Sequence, residues 1–324
     1  MAALLATTGD GVARISGRDD GWSAELLLEG VGAMSVAVDP RDPQRIFAGS
    51  TERGLWHSAD GGASFDEAGL PEDGVFSVAV SPVDGAVYAG CEPSMLFRSR
   101  DGGSSWEELF TLREIPSAPT WSFPPRPWTS HVRWIAPSPH DADRLLVGIE
   151  LGGVMLSEDG GATWKDHRPG AQPDCHALAW HPSVEGRAYE AAGGGTAWSS
   201  DGGDTWRPAD EGRDRNYAWA LTVDPTDPEH WYVSAAPGPM QAHGSGRADA
   251  HLYRWQGEGP WERLTGGLPD PLDSMLYALT AADGSLFAAL SDGRLYRSGD
   301  RGDSWEPLTL DGDGLERVVA LAPL

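Results

Sequence analysis

The residues of this 324-residue chain that could do chemistry stand at the ends of short, recurring apolar strands. Glu190 interrupts the run RAYEAAG at a position where sister strands carry Ala48, Ala89, Val147, Val233 and Ala288. A carboxylate in such a column needs a partner or a raised pKa. An ion pair with Arg187 or Arg133 would supply the first; the second would make Glu190 a general base or a metal ligand. Glu150 and Glu92 close equivalent strands, and Asp174 adds a further carboxylate. His131, His176 and His243 are the histidines expected to converge on them as proton carriers or ligands. Two imidazoles and a carboxylate suit Zn or Fe, so His131, His176 and Glu190 form a candidate set for a divalent metal, although no short ligand-spacing motif accompanies them. Arg133 offers an anion clamp. Tyr217, Trp219, Tyr277 and Trp128, with His243, offer a platform for a bound ring.

What must position these groups is an alternating strand that recurs along the chain: SVAVDP at Ser35, SVAVSP at Ser77, WIAPSP at Trp134, ALAWHP at Ala177, ALTVDP at Ala220, and ALTAAD at Ala278, with Val319 to Pro323 as a seventh copy. One position at the entry of these strands is occupied by Met34, Phe76, Arg133, His176, Trp219, Tyr277 and Val319. Two residues earlier, on the same face by the period of two, stand Gly32, Gly74, His131, Asp174, Tyr217, Met275 and Arg317. Polar and aromatic side chains therefore gather on the fourth to sixth copies. Each copy is followed by a short apolar strand, a third strand, and an octapeptide: SADGGASF from Ser58, SRDGGSSW from Ser99, SEDGGATW from Ser157, SSDGGDTW from Ser199 and SGDRGDSW from Ser298. An Asp that accepts from turn amides, followed by glycines tolerant of positive φ, marks a tight hairpin. The aromatic that ends it must be buried against something, and one hairpin cannot do that alone.

The octapeptides resemble the Asp-box, or bacterial neuraminidase repeat, pattern Ser-x-Asp-x-Gly-x-Thr-Trp. The resemblance implies an all-β propeller of four-stranded antiparallel blades, with the box on the turn between third and fourth strands, on the face opposite the usual active site. It makes Asp60, Asp101, Asp159, Asp201 and Asp300 turn residues. Units of about 42 residues then predict seven blades, at 1–30 with 315–324, 31–70, 71–111, 112–170, 171–213, 214–268 and 269–314. The first unit lacks a first strand, and Arg317 to Leu324 would supply it and close the ring. Two insertions, Arg113 to His131 and Ala236 to His251, are expected to open on the face opposite the boxes, where function would reside.

A net charge of −25 argues against nucleic acid and anionic membrane surfaces as partners. Cys91 and Cys175 fall on non-adjacent repeats, so they read as free buried thiols of a reducing compartment. The start, MAALLATTGDG, lacks a basic n-region and a long apolar core, which together with the cysteines predicts a cytoplasmic protein. Function stays open among three readings. Glycoside hydrolysis, as the resemblance to sialidase-like and xyloglucanase-like propellers implies, would use Glu150, Glu190 and Asp174 beside Trp121, Trp128, Trp134 and Trp219 on a glycan or another small molecule. Classical sialidase chemistry does not fit, because that family holds its substrate with three arginines on six blades, and here an Arg-Ile-Pro-like string occurs only inside the first insertion, as Arg113 to Pro116. The second reading is non-catalytic binding of a protein partner, as in the similar photosystem II stability factors. The third is a metal-dependent enzyme on a non-sugar substrate.

Overall fold

Strand alternation this regular buries one edge of every unit only when a neighbouring unit covers it, and the chain does so seven times around one axis. The computed structural model describes residues 2–18, 21–122, 129–244, 246–311 and 314–324. It is a seven-bladed β-propeller. Blade two is built of Ala33–Asp39, Asp42–Ser50, Gly54–Ser58 and Asp66–Glu67 in simple antiparallel order, and blades three, five, six and seven repeat that order. Blade four starts at Val132–Pro137 and has three strands, its fourth reduced to a single bridge between Leu156 and Lys165. The cause lies in the first insertion: Asp166, just past the bridge, accepts from both the amide and the hydroxyl of Ser117 (3.0 and 2.5 Å), which draws the chain out of the sheet.

Blade one closes the ring. Its order runs Leu310–Asp311, Gly21–Leu28, Val12–Arg18, Ala3–Thr7, Leu321–Pro323, so the last segment supplies the innermost strand, with Ala322 opposite Leu5. The parallel fifth strand, Leu310–Asp311 beside Trp22 and Ser23, has no counterpart in the other blades among the described residues.

The five octapeptide turns share one hydrogen-bond pattern. In the first, Ser58 Oγ donates to Asp60 Oδ1 (2.8 Å) and accepts from the Gly62 amide (2.8 Å), while the Ser64 amide and hydroxyl donate to the two Asp60 oxygens (2.9 and 2.6 Å). Those donors hold Asp60, Asp101 and Asp300 at about 2, so each of these carboxylates is committed to its own turn. Arg301 occupies a glycine position of the last turn at φ +59°, where its guanidinium pairs with Asp224 of blade six (2.9 Å).

The tryptophans that end these turns are not equivalent. Trp206 and Trp305 are buried and donate to the carbonyls of Gly203 and Gly302 (3.1 and 3.0 Å). Trp164 is only half-buried, and its indole N–H has no hydrogen-bond partner among the described residues. Trp206→Ala is therefore expected to cost about 3–5 kcal/mol, with Trp164→Ala clearly cheaper. Urea unfolding of the two variants side by side checks the order; equal losses would contradict it.

Blades approach closely where the second strand carries glycine. A Cβ at Gly90 would lie 2.5 Å from Val132 of the next blade, and one at Gly148 would lie 2.4 Å from Cys175 Sγ. Both cysteines are buried and free. Among the described residues no helix is long and apolar enough to cross a membrane.

Candidate functional site at the channel mouth

A recurring irregularity aims side chains at the mouth of the channel. The first strands of blades two to seven each carry a register shift, at Ala33/Ser35, Val75/Ser77, Val132/Trp134, Cys175/Ala177, Ala218/Leu221 and Leu276/Ala278. The residue skipped by the ladder is Met34, Phe76, Arg133, His176, Trp219 (with Ala220) or Tyr277. A bulge frees such a residue from pairing and re-aims its side chain. These six, with Val319 from the closing strand, line one cavity of about 980 Å³. His131, Glu150, Tyr217, His243 and Arg317 also line it, and the short helix Pro239–His243 of the second insertion forms part of its wall.

The polar groups form two connected sets. In the first, His131 lies face to face with Phe76 (3.9 Å between centroids) and donates Nε2–H to Glu150 Oε2 at 2.7 Å. Arg133 Nε stands 3.7 Å from the same oxygen, and its guanidinium lies over the Trp219 ring at 4.6 Å. Burial opposes the charge of Glu150. The hydrogen bond from His131 and then the positive charge of Arg133 lead the effects that outweigh it and hold the carboxyl at about 2. Glu150 is therefore ionised at any physiological pH. On the far side of His131, Nδ1 is 3.4 Å from Glu92 Oε2.

The second set is fixed by proton counting. Tyr277 donates its hydroxyl to the carbonyl of Ala242 (2.8 Å), so the 2.7 Å contact between His243 Nδ1 and that hydroxyl must be donated by the imidazole. His243 Nε2 then accepts from the Tyr217 hydroxyl at 2.9 Å. Burial lowers the His243 pKa and raises that of Tyr217, which agrees with a neutral chain Tyr217–His243–Tyr277. The indole of Trp219 packs on this chain, 4.6 Å from His243 and 5.4 Å from Tyr277. His176 joins the two sets, 4.3 Å from Trp219 and 4.8 Å from Tyr217. It donates Nδ1–H to the carbonyl of Ala218 (2.7 Å), and its Nε2 faces Asp174 Oδ2 at 3.5 Å.

Two of the sequence-level candidates, Glu190 and Trp121, fall elsewhere. Glu190 does not line the cavity. Its side chain is fully buried within blade five, where Oε2 accepts from the Gln172 amide (3.0 Å) and Oε1 has no partner among the described residues. Neither anticipated arginine reaches it, since Arg187 pairs with Glu229 (3.2 Å) and Arg133 with Glu150. The donor set His131, His176 and Glu190 is therefore not assembled: the bulge at Cys175/Ala177 aims His176 at the mouth, whereas Glu190 pairs in register with Leu178 inside the sheet. Trp121 is buried in the core beside Leu112 and Ile149 and offers no exposed ring face, whereas Trp134 does line the mouth. Trp128 lies outside the described residues.

The sequence missed Phe76 as the wall behind His131, Pro239, Met240 and Ala242 as cavity residues, and the Ala218 carbonyl that orients His176. The second insertion signalled its own importance by length, but nothing in its composition marked which residues turn inward. A separate cavity of about 430 Å³ lies on the opposite face between blades two and three, lined by Arg41, Arg45, His57 and Arg100.

Solved structures share the fold. The GH74 xyloglucanase from Xanthomonas campestris matches with a TM-score of 0.68 at 19% identity, over 99% of this chain and 52% of that one. The GH74 enzyme of Niastella koreensis matches with 0.61 at 14%, over 99% and 66%. YCF48 from Cyanidioschyzon merolae matches with 0.60 at 15%, over 85% and 84%, and a structure of YCF48 bound to D1 peptide matches with 0.57 at 17%, over 85% and 81%. The chain thus spans about half of the xyloglucanase, and 38% of an ancestral GH74 enzyme that it also resembles. No protein-family model matches the sequence, and no curated protein does.

Proposed function

We propose that the channel mouth binds a small molecule bearing a carboxylate or phosphate, such as an acidic sugar or a sugar phosphate, with Arg133 as the anion clamp and the Trp219–Tyr277 wall as the ring platform. The observation that carries this reading is the charge of the lining. On a chain of net charge −25, the described residues of the cavity wall include two arginines, Arg133 and Arg317, against one carboxylate, that of Glu150. Its volume suits one compact ligand. Likeness to xyloglucanases supports a sugar as that ligand only at the level of fold.

Hydrolysis by paired carboxyls draws less support, because it needs a protonated acid opposite an ionised base. Here Glu150 is held ionised, while Glu190, pushed up to about 8 mainly by burial, is sealed off from the cavity.

A hydrogen bond from arginine to an anion is worth about 1.5–3 kcal/mol, roughly 10- to 150-fold in affinity. Calorimetric titration should therefore find D-glucuronate or glucose 6-phosphate binding at least tenfold tighter than glucose. Arg133→Gln should erase that preference, and Arg100→Gln, on the opposite face, should leave it intact. Equal affinities for charged and neutral sugars, or a preference that survives Arg133→Gln, would remove this reading. Tighter binding of a xyloglucan oligosaccharide or of a peptide than of either acidic sugar would replace it with a glucan-binding or protein-binding role.

A further inference from the structure

We propose that Glu150, Asp174 and His176 hold a divalent metal ion of the Zn class at the floor of the mouth. Each offers one ligand atom, and these atoms all lie within 4.8 Å of one another, the one such group among the described residues. The orientation of His176 carries the argument. The Ala218 carbonyl can only accept, so the proton of a neutral His176 sits on Nδ1 and the Nε2 lone pair faces Asp174, with Glu150 in the same cluster of ligand atoms. Nε2 has no hydrogen-bond partner among the described residues, and the side chain is almost wholly buried. Asp174 Oδ1 is likewise unpartnered. A lone pair held against negative oxygens is repulsive until a cation sits between them.

That cation is either a proton on Nε2 or a metal. The 3.5 Å separation of Nε2 from Asp174 Oδ2 is long for an N–H···O hydrogen bond. It is close to the spacing of two ligand atoms about a tetrahedral ion with bonds of about 2.0–2.1 Å. The outer hydrogen bonds agree: a metal-bound imidazole ordinarily gives its other N–H to a carbonyl, and a metal-bound carboxylate is itself hydrogen-bonded. Here those partners are Ala218 and His131. One imidazole with two carboxylates favours Zn, Co or Mn over Ca or Mg, which prefer oxygen alone. Glu150 and His176 both line the cavity, so a bound ion faces whatever ligand enters and would polarise its anionic group beside Arg133.

The test uses the full chain stripped of metal, with no organic ligand, in millimolar Mg²⁺ to saturate weak surface carboxylates. Titration with Co²⁺, read by its visible d–d absorption, should saturate at one equivalent, and Zn²⁺ should displace it and raise the melting temperature. His176→Gln and the more exposed Asp174→Asn should each weaken Co²⁺ binding by at least about 50-fold. Stoichiometric binding lost in either folded variant supports the site. Binding unchanged in both, or no one-equivalent step in the wild type, overturns it. The anion preference tested with Arg133→Gln is measured on the metal-free protein, so either proposal can fail without the other.

Discussion

Removal of residues 315–324 is expected to leave a chain that does not fold. Leu321–Pro323 is the innermost strand of blade one, and the preceding turn is bonded in as well: the Thr7 amide donates to Ala320 O (3.0 Å), the Ala320 amide to Thr7 Oγ1 (2.9 Å), and the Gly9 amide to Glu316 O (3.0 Å). Val318 is fully buried with Phe287 and Leu295 of blade seven, while Ala322 packs with Val31 and Ala33 at the start of blade two. Losing Leu315, Val318, Leu321, Ala322 and Leu324 forfeits roughly 5–10 kcal/mol of apolar burial. The whole stability of an ordinary domain is about 5–15 kcal/mol. The deletion also exposes the Ala3–Thr7 edge, whose apolar residues Leu4, Leu5 and Ala6 are ready for intermolecular pairing. Size-exclusion chromatography and thermal unfolding should show aggregate and no cooperative transition. A monomeric truncation that melts cooperatively would mean that ring closure is not what stabilises the fold.

Glu190 is expected to make the protein less stable as pH rises, and Glu190→Gln to remove that loss. Burial, with smaller additions from the charges of Asp210 and Asp174, moves the carboxyl from 4.5 to about 8, against the opposing hydrogen bond from the Gln172 amide. Between those two values the folded chain retains a proton that the unfolded chain has released, so raising pH favours unfolding. The loss begins near pH 4.5 and is complete near pH 8. Its size is on the order of 5 kcal/mol, at 1.36 kcal/mol for each tenfold change in proton affinity. His167, His181, His243 and His251, all lowered mainly by burial, act in the opposite sense, because their contribution is present above about 6.5 and is lost on acidification. The quantity to measure is therefore the difference between variant and wild type, by urea unfolding at several pH values. Glu190→Gln should gain on wild type steadily from pH 5 to 8 and then run parallel. A constant offset across that range would mean that Glu190 is ionised in the folded protein.

Architecture was legible in the sequence because it rests on local and repeated signals. A five-times-repeated octapeptide reports its own turn chemistry, and the strand phrase upstream of it reports a face that needs a neighbour. Counting those phrases, together with the first strand missing at one end and the spare strand at the other, sufficed for seven blades and a closed ring. The column in which Glu190 breaks a series of small apolar residues was also readable by register: Glu190 pairs with Leu178 as Ala48 pairs with Val36 and Val233 with Leu221. The residues at the strand entries could be listed in advance for the same reason.

Tertiary structure alone decided which of those residues meet. Period-two reasoning assigns a side chain to one face or the other, but it does not see the bulges that turn Arg133, His176 and Tyr277 into the mouth. Nor does it reveal that Glu190, on the adjacent strand of the same blade as His176, is confined to the sheet interior. The proton on His176 depends on a carbonyl 42 residues away, at Ala218, and the state of His243 on a hydroxyl 34 residues away, at Tyr277. Repetition encodes the blade, because each unit solves the same burial problem with its own residues. The site is assembled across blades from positions where the repeat departs from itself, and contacts between such positions leave no trace in any single unit.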